Sequence, residues 1–171
     1  MYKILTAFIC LIICSCGFKP LYKTTAYNDL SEQTSEIAIT PVKNFDGARG
    51  IDLRNNLLNK LTPNGKPSNP KYYLNISLSQ PNITDYTIKN DGIASSYLIR
   101  MTADYNLVNA KTKDIVLKKS ANSELSYNIL KDQFSTEMLK NNAIKLAIND
   151  IAEQIYFSII IYFTEKANGK I

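Results

Sequence analysis

With 171 residues, 45% of them hydrophobic and 20% charged, the chain is long enough for one hydrophobic core and has the ordinary composition of a globular domain. It contains no His and no Trp, which excludes a Ser-His-Asp triad, an imidazole general base and histidine metal sites. Twenty Lys and Arg against fifteen Asp and Glu give a formal charge of +5, a modest excess that favours anionic partners such as lipid phosphates but is weak evidence alone.

The first segment reads as an export signal. Met1-Tyr2-Lys3 is a short basic start, Ile4 to Cys14 is an apolar run, and Ile13-Cys14-Ser15-Cys16 closes it with a small residue just before a cysteine. This three-part layout marks a signal peptide, here residues 1–15, cleaved between Ser15 and Cys16. The run is too short to span a bilayer core of roughly 30 Å, which needs about 20 apolar residues. An apolar residue, a spacer, a small residue and then Cys also resembles the bacterial lipobox, in which Cys16 becomes the acylated first residue and carries palmitate. Cleavage removes Cys10 and Cys14 and acylation occupies Cys16, so the mature fold is expected to hold without disulfides, thiol catalysis or thiolate zinc.

Residues 16–35 follow as a lipidated tether, with Phe18, Pro20, Leu21 and Tyr22 as candidate contacts to a partner or membrane face. Residues 36–171 read as one domain. Glu36 to Val42 alternates with Ile37 and Ile39 on one face, a strand limited by Pro41. Between Gly50 and Leu61, Leu53, Leu57, Leu58 and Leu61 recur at spacings of three and four and predict an amphipathic helix ended by Pro63-Asn64-Gly65. Tyr72, Leu74, Ile76 and Leu78 alternate with polar residues as a half-buried strand ending at Pro81. The stretch from there to Gly92 is ambiguous.

Ser95 to Asn109 is the longest alternating run, with Tyr97, Ile99, Met101, Ala103, Tyr105 and Leu107 on one face. At about 3.4 Å per residue it reaches roughly 50 Å and is expected to bend or to project beyond the sheet. Lys111-Thr112-Lys113-Asp114 reads as a hairpin tip and Ile115 to Tyr127 as the returning strand. From about Gln133 the period becomes helical, and Leu139, Ala143, Ile144, Ala147, Ile148, Ile151, Ala152 and Ile155 form one apolar stripe. Lys145, Asp150 and Glu153 argue against a membrane span there. The predicted fold is an α+β two-layer sandwich: a four-stranded sheet with a long hairpin and two helices packed on one face.

Asp46 with Asp52, or Asp150 with Glu153, are possible carboxylate pairs, but both read as solvated charges flanking helices. No catalytic residue, metal site or cofactor is assigned, and the chain is not read as an enzyme.

Cys16-Gly17-Phe18-Lys19-Pro20-Leu21-Tyr22 resembles the start of mature LptE-family lipoproteins of the alphaproteobacterial type, which commonly begin Cys-Gly-Phe-Arg-Pro-Leu-Tyr-Gly. Lys19 replaces the Arg and Lys23 the Gly. The element order and the small Ala143 and Ala147 in the last helix fit the family layout. The resemblance implies an outer-membrane lipoprotein on the periplasmic face, lipid-anchored, that plugs the LptD β-barrel, assists its assembly and helps deliver lipopolysaccharide to the outer leaflet. It implies no nucleic acid. Gly17 lacks the Asp that commonly retains bacterial lipoproteins in the inner membrane. For lipopolysaccharide phosphates the favoured groups are Lys111, Lys113, Lys118 and Lys119 around the hairpin tip, with Arg100 on the polar face. The rival reading is a free, periplasm-facing lipoprotein that binds another envelope ligand.

Overall fold

A computed structural model describes residues 33–44, 47–88 and 94–169. The expected signal peptide, Cys16, the expected tether through residue 32 and Asp46 lie outside them. Five strands and two helices follow in order: β1 (Ile37–Ile39), α1 (Ala48–Leu61), β2 (Tyr72–Leu78), β3 (Asn82–Ile88), β4 (Ala94–Asn109), β5 (Ile115–Asn128) and α2 (Gln133–Ala167). Residues 33–35 are also helical.

β4 is the axis of the sheet. β5 pairs antiparallel along nearly all of its far side, from Ser96↔Asn128 to Val108↔Ile115. Its near side is shared by two strands in succession: β2 covers Ala103 to Asn109 and β3 covers Ala94 to Arg100. β1 joins the outer side of β2 in parallel. The expected four-stranded sheet therefore has a fifth strand, β3, which falls in the stretch after Pro81 that periodicity left ambiguous. β3 also keeps the long run, expected to bend or to project beyond the sheet, inside it, because β3 and β5 pair with that end of β4 on both sides. β3 is exposed at every position. It pairs because β4 presents an open row of backbone groups, which no hydrophobic pattern announces.

The alternating runs face as expected. Leu74, Ile76 and Leu78 of β2 oppose Leu107, Tyr105 and Ala103 of β4 on the core face. Ala121 of β5 completes the last of these rows. Leu53, Leu57 and Leu61 of α1 and ten residues of α2 close that face from above. Ala143, Ala147 and Ala152 are buried; their small side chains bring the helix close to the sheet. Leu139 is the exception in the predicted stripe: it is 37% exposed, and continuous burial starts one turn later, at Ala143.

α2 begins with Asp132 as N-cap, its carboxylate accepting from the Ser135 N–H, which satisfies a donor the first turn leaves orphaned. By length and composition α2 passes as a membrane-crossing helix, but 39% of its most apolar 18-residue window is buried inside the protein. Lys60 of α1 and Glu153 of α2 form an ion pair at 2.5 Å that ties the helices together. Glu153 is thus a structural charge, while Asp150 is exposed. At the far end of α2, Phe163 meets the Tyr72 ring edge-on at 5.3 Å. The Lys166 ammonium bonds the Tyr72 hydroxyl at 2.7 Å, which raises the pKa of that ammonium.

Candidate functional site: the open face of the sheet

Helices cover one face of the sheet only, so most residues of the other parity on β2, β4 and β5 are wholly or partly exposed, with Ser96 a buried exception. Across the middle of this open face Thr40 donates to Asn75 Oδ1 (3.2 Å) and Asn75 donates to Asn106 Oδ1 (2.9 Å). Asn44 donates to the Ser77 hydroxyl at 2.7 Å, and Ser120 donates to Asp104. Of these, Asn75, Ser77, Asp104, Asn106 and Ser120 line a groove of about 570 Å³, whose rim carries Lys43, Lys118 and Lys119. Residues 40–43 reach it because they continue beside β2 past Pro41: Thr40 N–H bonds the Leu74 carbonyl and Lys43 N–H the Ile76 carbonyl. Asp104, the one carboxylate in the lining, is held by Ser120. Among the described residues no carboxylate pairs with Lys43, Lys118 or Lys119. The groove is therefore a polar floor of amides and hydroxyls with a cationic rim, chemistry suited to anionic or hydroxyl-rich ligands.

The five cations predicted for lipopolysaccharide do not form one cluster. Lys118 and Lys119 stand beside the groove, opposite Asn106 and Tyr105. Lys118 belongs to the open face, whereas Lys119 shares the parity of the core face at the sheet edge and also lines an apolar groove against α2. Lys111 is exposed in the turn, which Asn109 organises by accepting the N–H groups of Lys111 and Thr112. Lys113 has a left-handed φ of 65° and stands 5.7 Å from the centre of the Tyr73 ring.

Arg100 is six residues from Asn106 along β4, roughly 20 Å away, and its guanidinium is paired with Glu124. That hydrogen bond pulls the Glu124 carboxyl below its ordinary value and raises Arg100. Arg100 is thus apart from the tip lysines and already engaged. Lys43, Asn75 and Asn106 were missed in the sequence. Alternation places Asn75 and Asn106 opposite the core positions, but only the register between strands brings them together. Met101 and Tyr105 are core residues, as their alternation predicts, and burial raises the Tyr105 phenol. Ser15, Cys16, Phe18, Pro20, Leu21 and Tyr22 lie outside the described residues.

These features define a small two-layer α+β protein with a solvent-open, basic sheet face. Residues 34–159 match the family model described as LptE: Lipopolysaccharide-assembly, and the chain belongs to that family. It is 25% identical over 169 residues to an uncharacterised protein of Rickettsia prowazekii (strain Madrid E), covering 97% of this chain and 100% of that one. Among solved structures it resembles a protein described as a lipoprotein of Caulobacter crescentus CB15, with a TM-score of 0.63 at 19% identity over 81% of this chain and 97% of that one. It also resembles rare lipoprotein B of Shewanella oneidensis, with a TM-score of 0.59 at 10% identity over 79% and 98% of the two chains. At these identities the solved structures establish the fold.

Proposed function

We propose that the protein is a lipid-anchored component of the outer membrane, facing the periplasm, that plugs and assists assembly of an LptD-like β-barrel and helps deliver lipopolysaccharide to the outer leaflet. The observation that carries this reading is the family match from residue 34 to residue 159. Two physical features support it. The lumen of a large barrel is polar and water-lined, and the open sheet face offers it amides, hydroxyls and lysines. The chain also has eleven Tyr, side chains that combine large contact area with a polar tip. In this reading Cys16 carries the acyl chains, more than one being needed for stable anchoring. Phe18, Pro20, Leu21 and Tyr22 contact the barrel or membrane.

Among the cations, Lys118 and Lys43 are the preferred groups for lipopolysaccharide phosphate, because both line the groove and Lys118, unlike Lys119, has the parity of the open face. Lys111, Lys113 and Lys119 are secondary, and Arg100 contributes only if it leaves Glu124. Lysine binds phosphate as a point charge, so contact through this rim is diffuse and salt-sensitive.

The test is affinity purification of the C-terminally tagged protein from detergent-solubilised outer membranes, with co-purifying chains identified by mass spectrometry. A stoichiometric large β-barrel is the expected result. Recovery alone, or with inner-membrane partners, overturns the assignment and leaves a lipoprotein for another envelope ligand. The double variant Lys43→Glu and Lys118→Glu is expected to weaken binding of purified lipopolysaccharide about tenfold or more at low salt, and less at high salt.

A further inference from the structure

Among the described residues, β5 is an edge of the sheet along its whole length, and its outer side is open except at one point. Asn122 pairs with Thr102 of β4, and the Thr102 N–H and carbonyl bond Ser79 on the opposite side. The Asn122 backbone groups therefore point outward, and by alternation so do those of Lys118, Ser120, Glu124, Ser126 and Asn128. Among the described residues, one side chain bonds this row. The Gln154 amide of α2 donates to the Asn122 carbonyl at 2.7 Å and accepts from the Asn122 N–H at 3.2 Å. A side-chain amide thus occupies the place a neighbouring peptide would take.

On either side of this bridge lies a groove between β5 and α2. One, of about 400 Å³, is lined by Val116, Leu117, Ile161 and Tyr162 together with the polar Lys119, Ser158 and Glu165; the other, of about 250 Å³, by Leu125, Tyr127, Leu139, Ala143 and Leu146 among others. Leu146, Phe157 and Ile161 remain 52%, 57% and 51% exposed along this flank of the helix.

We propose that the β5 edge and the adjoining flank of α2 form a docking site for an extended segment of a partner protein. The segment is an amphipathic strand whose backbone displaces the Gln154 amide and whose alternate side chains are apolar and enter the two grooves. Asp150, exposed one helical turn from Gln154, selects a basic residue near its middle. A lipid surface does not fit, because it would leave the outward backbone groups without hydrogen-bond partners. A second copy fits poorly. Asn122 is at the middle of β5, so an antiparallel β5–β5 contact would set Asp150 and Gln154 against their own copies, acid against acid. A closed barrel wall has no free edge to offer, so the segment comes from a loop or a terminus. The inference does not depend on the lumen-plug reading.

The test places a photo-crosslinking benzoylphenylalanine at Leu146 or Ile161 of the full-length protein in its native envelope, with Asn59 on the exposed side of α1 as control. The expected adducts from both positions map to one contiguous segment of one partner, on residues of the same parity. Ser126→Pro removes an outward N–H without touching a β4 bond and is expected to lower the yield about tenfold, equivalent to about 1.4 kcal/mol. Ser126→Ala, which keeps the N–H, leaves it unchanged. Should Ser126→Pro lose its cooperative melting transition, Leu146→Asp read from the Ile161 probe supplies the second disruption. Equal yields from the intact protein and the folded disrupting variant overturn the proposal. So do adducts only with lipid, with a second copy or with residues 17–32 of the same chain, or none at all.

Discussion

β2 and β3 lie end to end along one edge of β4, and each has seven residues. β2 buries every second side chain under the helices, whereas β3 buries none. Both make the backbone ladder with β4, but β2 lies under the helices and is also paired with β1, whereas β3 is an uncovered edge strand. Hydrogen bonding suffices to place a strand, but burial of apolar area supplies most of its stability. β2 belongs to the core that holds the domain together, and β3 is a flange attached through backbone bonds.

That contrast is open to measurement. The largest effect is expected for Leu74→Ala in β2, a fully buried site where losing the side chain typically costs about 2–5 kcal/mol. Urea unfolding should show it as a lower midpoint with unchanged slope. Ala147→Leu tests the close approach of α2 to the sheet. Ala147 is fully buried, and overpacking such a position costs about 1–3 kcal/mol, again read by urea unfolding. Ile83→Ala in β3 is expected to change stability by no more than about 0.5 kcal/mol, the range of ordinary surface substitutions. A cost comparable to that of Leu74→Ala would show that β3 is covered after all. Native-state hydrogen exchange sharpens the same comparison: β3 amides should exchange through local opening, and β2 amides only near the global limit.

The smallest effect concerns the Arg100–Glu124 pair between β4 and β5. Its hydrogen bond lowers the folded-state pKa of Glu124, so the stabilisation is present above the unfolded pKa and is lost as pH falls through the folded one. Both groups are solvent-exposed and screened. Melting temperatures of the protein and of Glu124→Gln, compared between neutral pH and about pH 3, should differ slightly at the upper end and converge at the lower. A persistent gap at acid pH would show that the carboxylate acts through something other than its charge.

Much of the architecture is legible in the sequence. The spacing of Leu53, Leu57 and Leu61, the alternation from Tyr72 to Leu78 and from Tyr97 to Leu107, and the helical stripe from Ala143 onward each lie on the face they predict. These positions were readable because one-sided burial writes a period into the chain. β3 was not readable, because a strand exposed on both faces writes none. The candidate site was readable only in its parts: Lys118 stood out as a basic residue on the hairpin, while Lys43 and Asn75 looked like ordinary polar positions.

The class of fold, the core faces and the family resemblance are all legible in the chain, since each depends on residue type at local spacings. Tertiary structure decided which polar residues meet. Lys43 and Lys118 lie 75 residues apart in the chain and line one groove because β1, β2, β4 and β5 pair in that order and in that register. The same register points the Asn122 backbone outward to meet Gln154. Strand pairing brings together groups that local chain geometry leaves independent, and no short-range pattern encodes which ones.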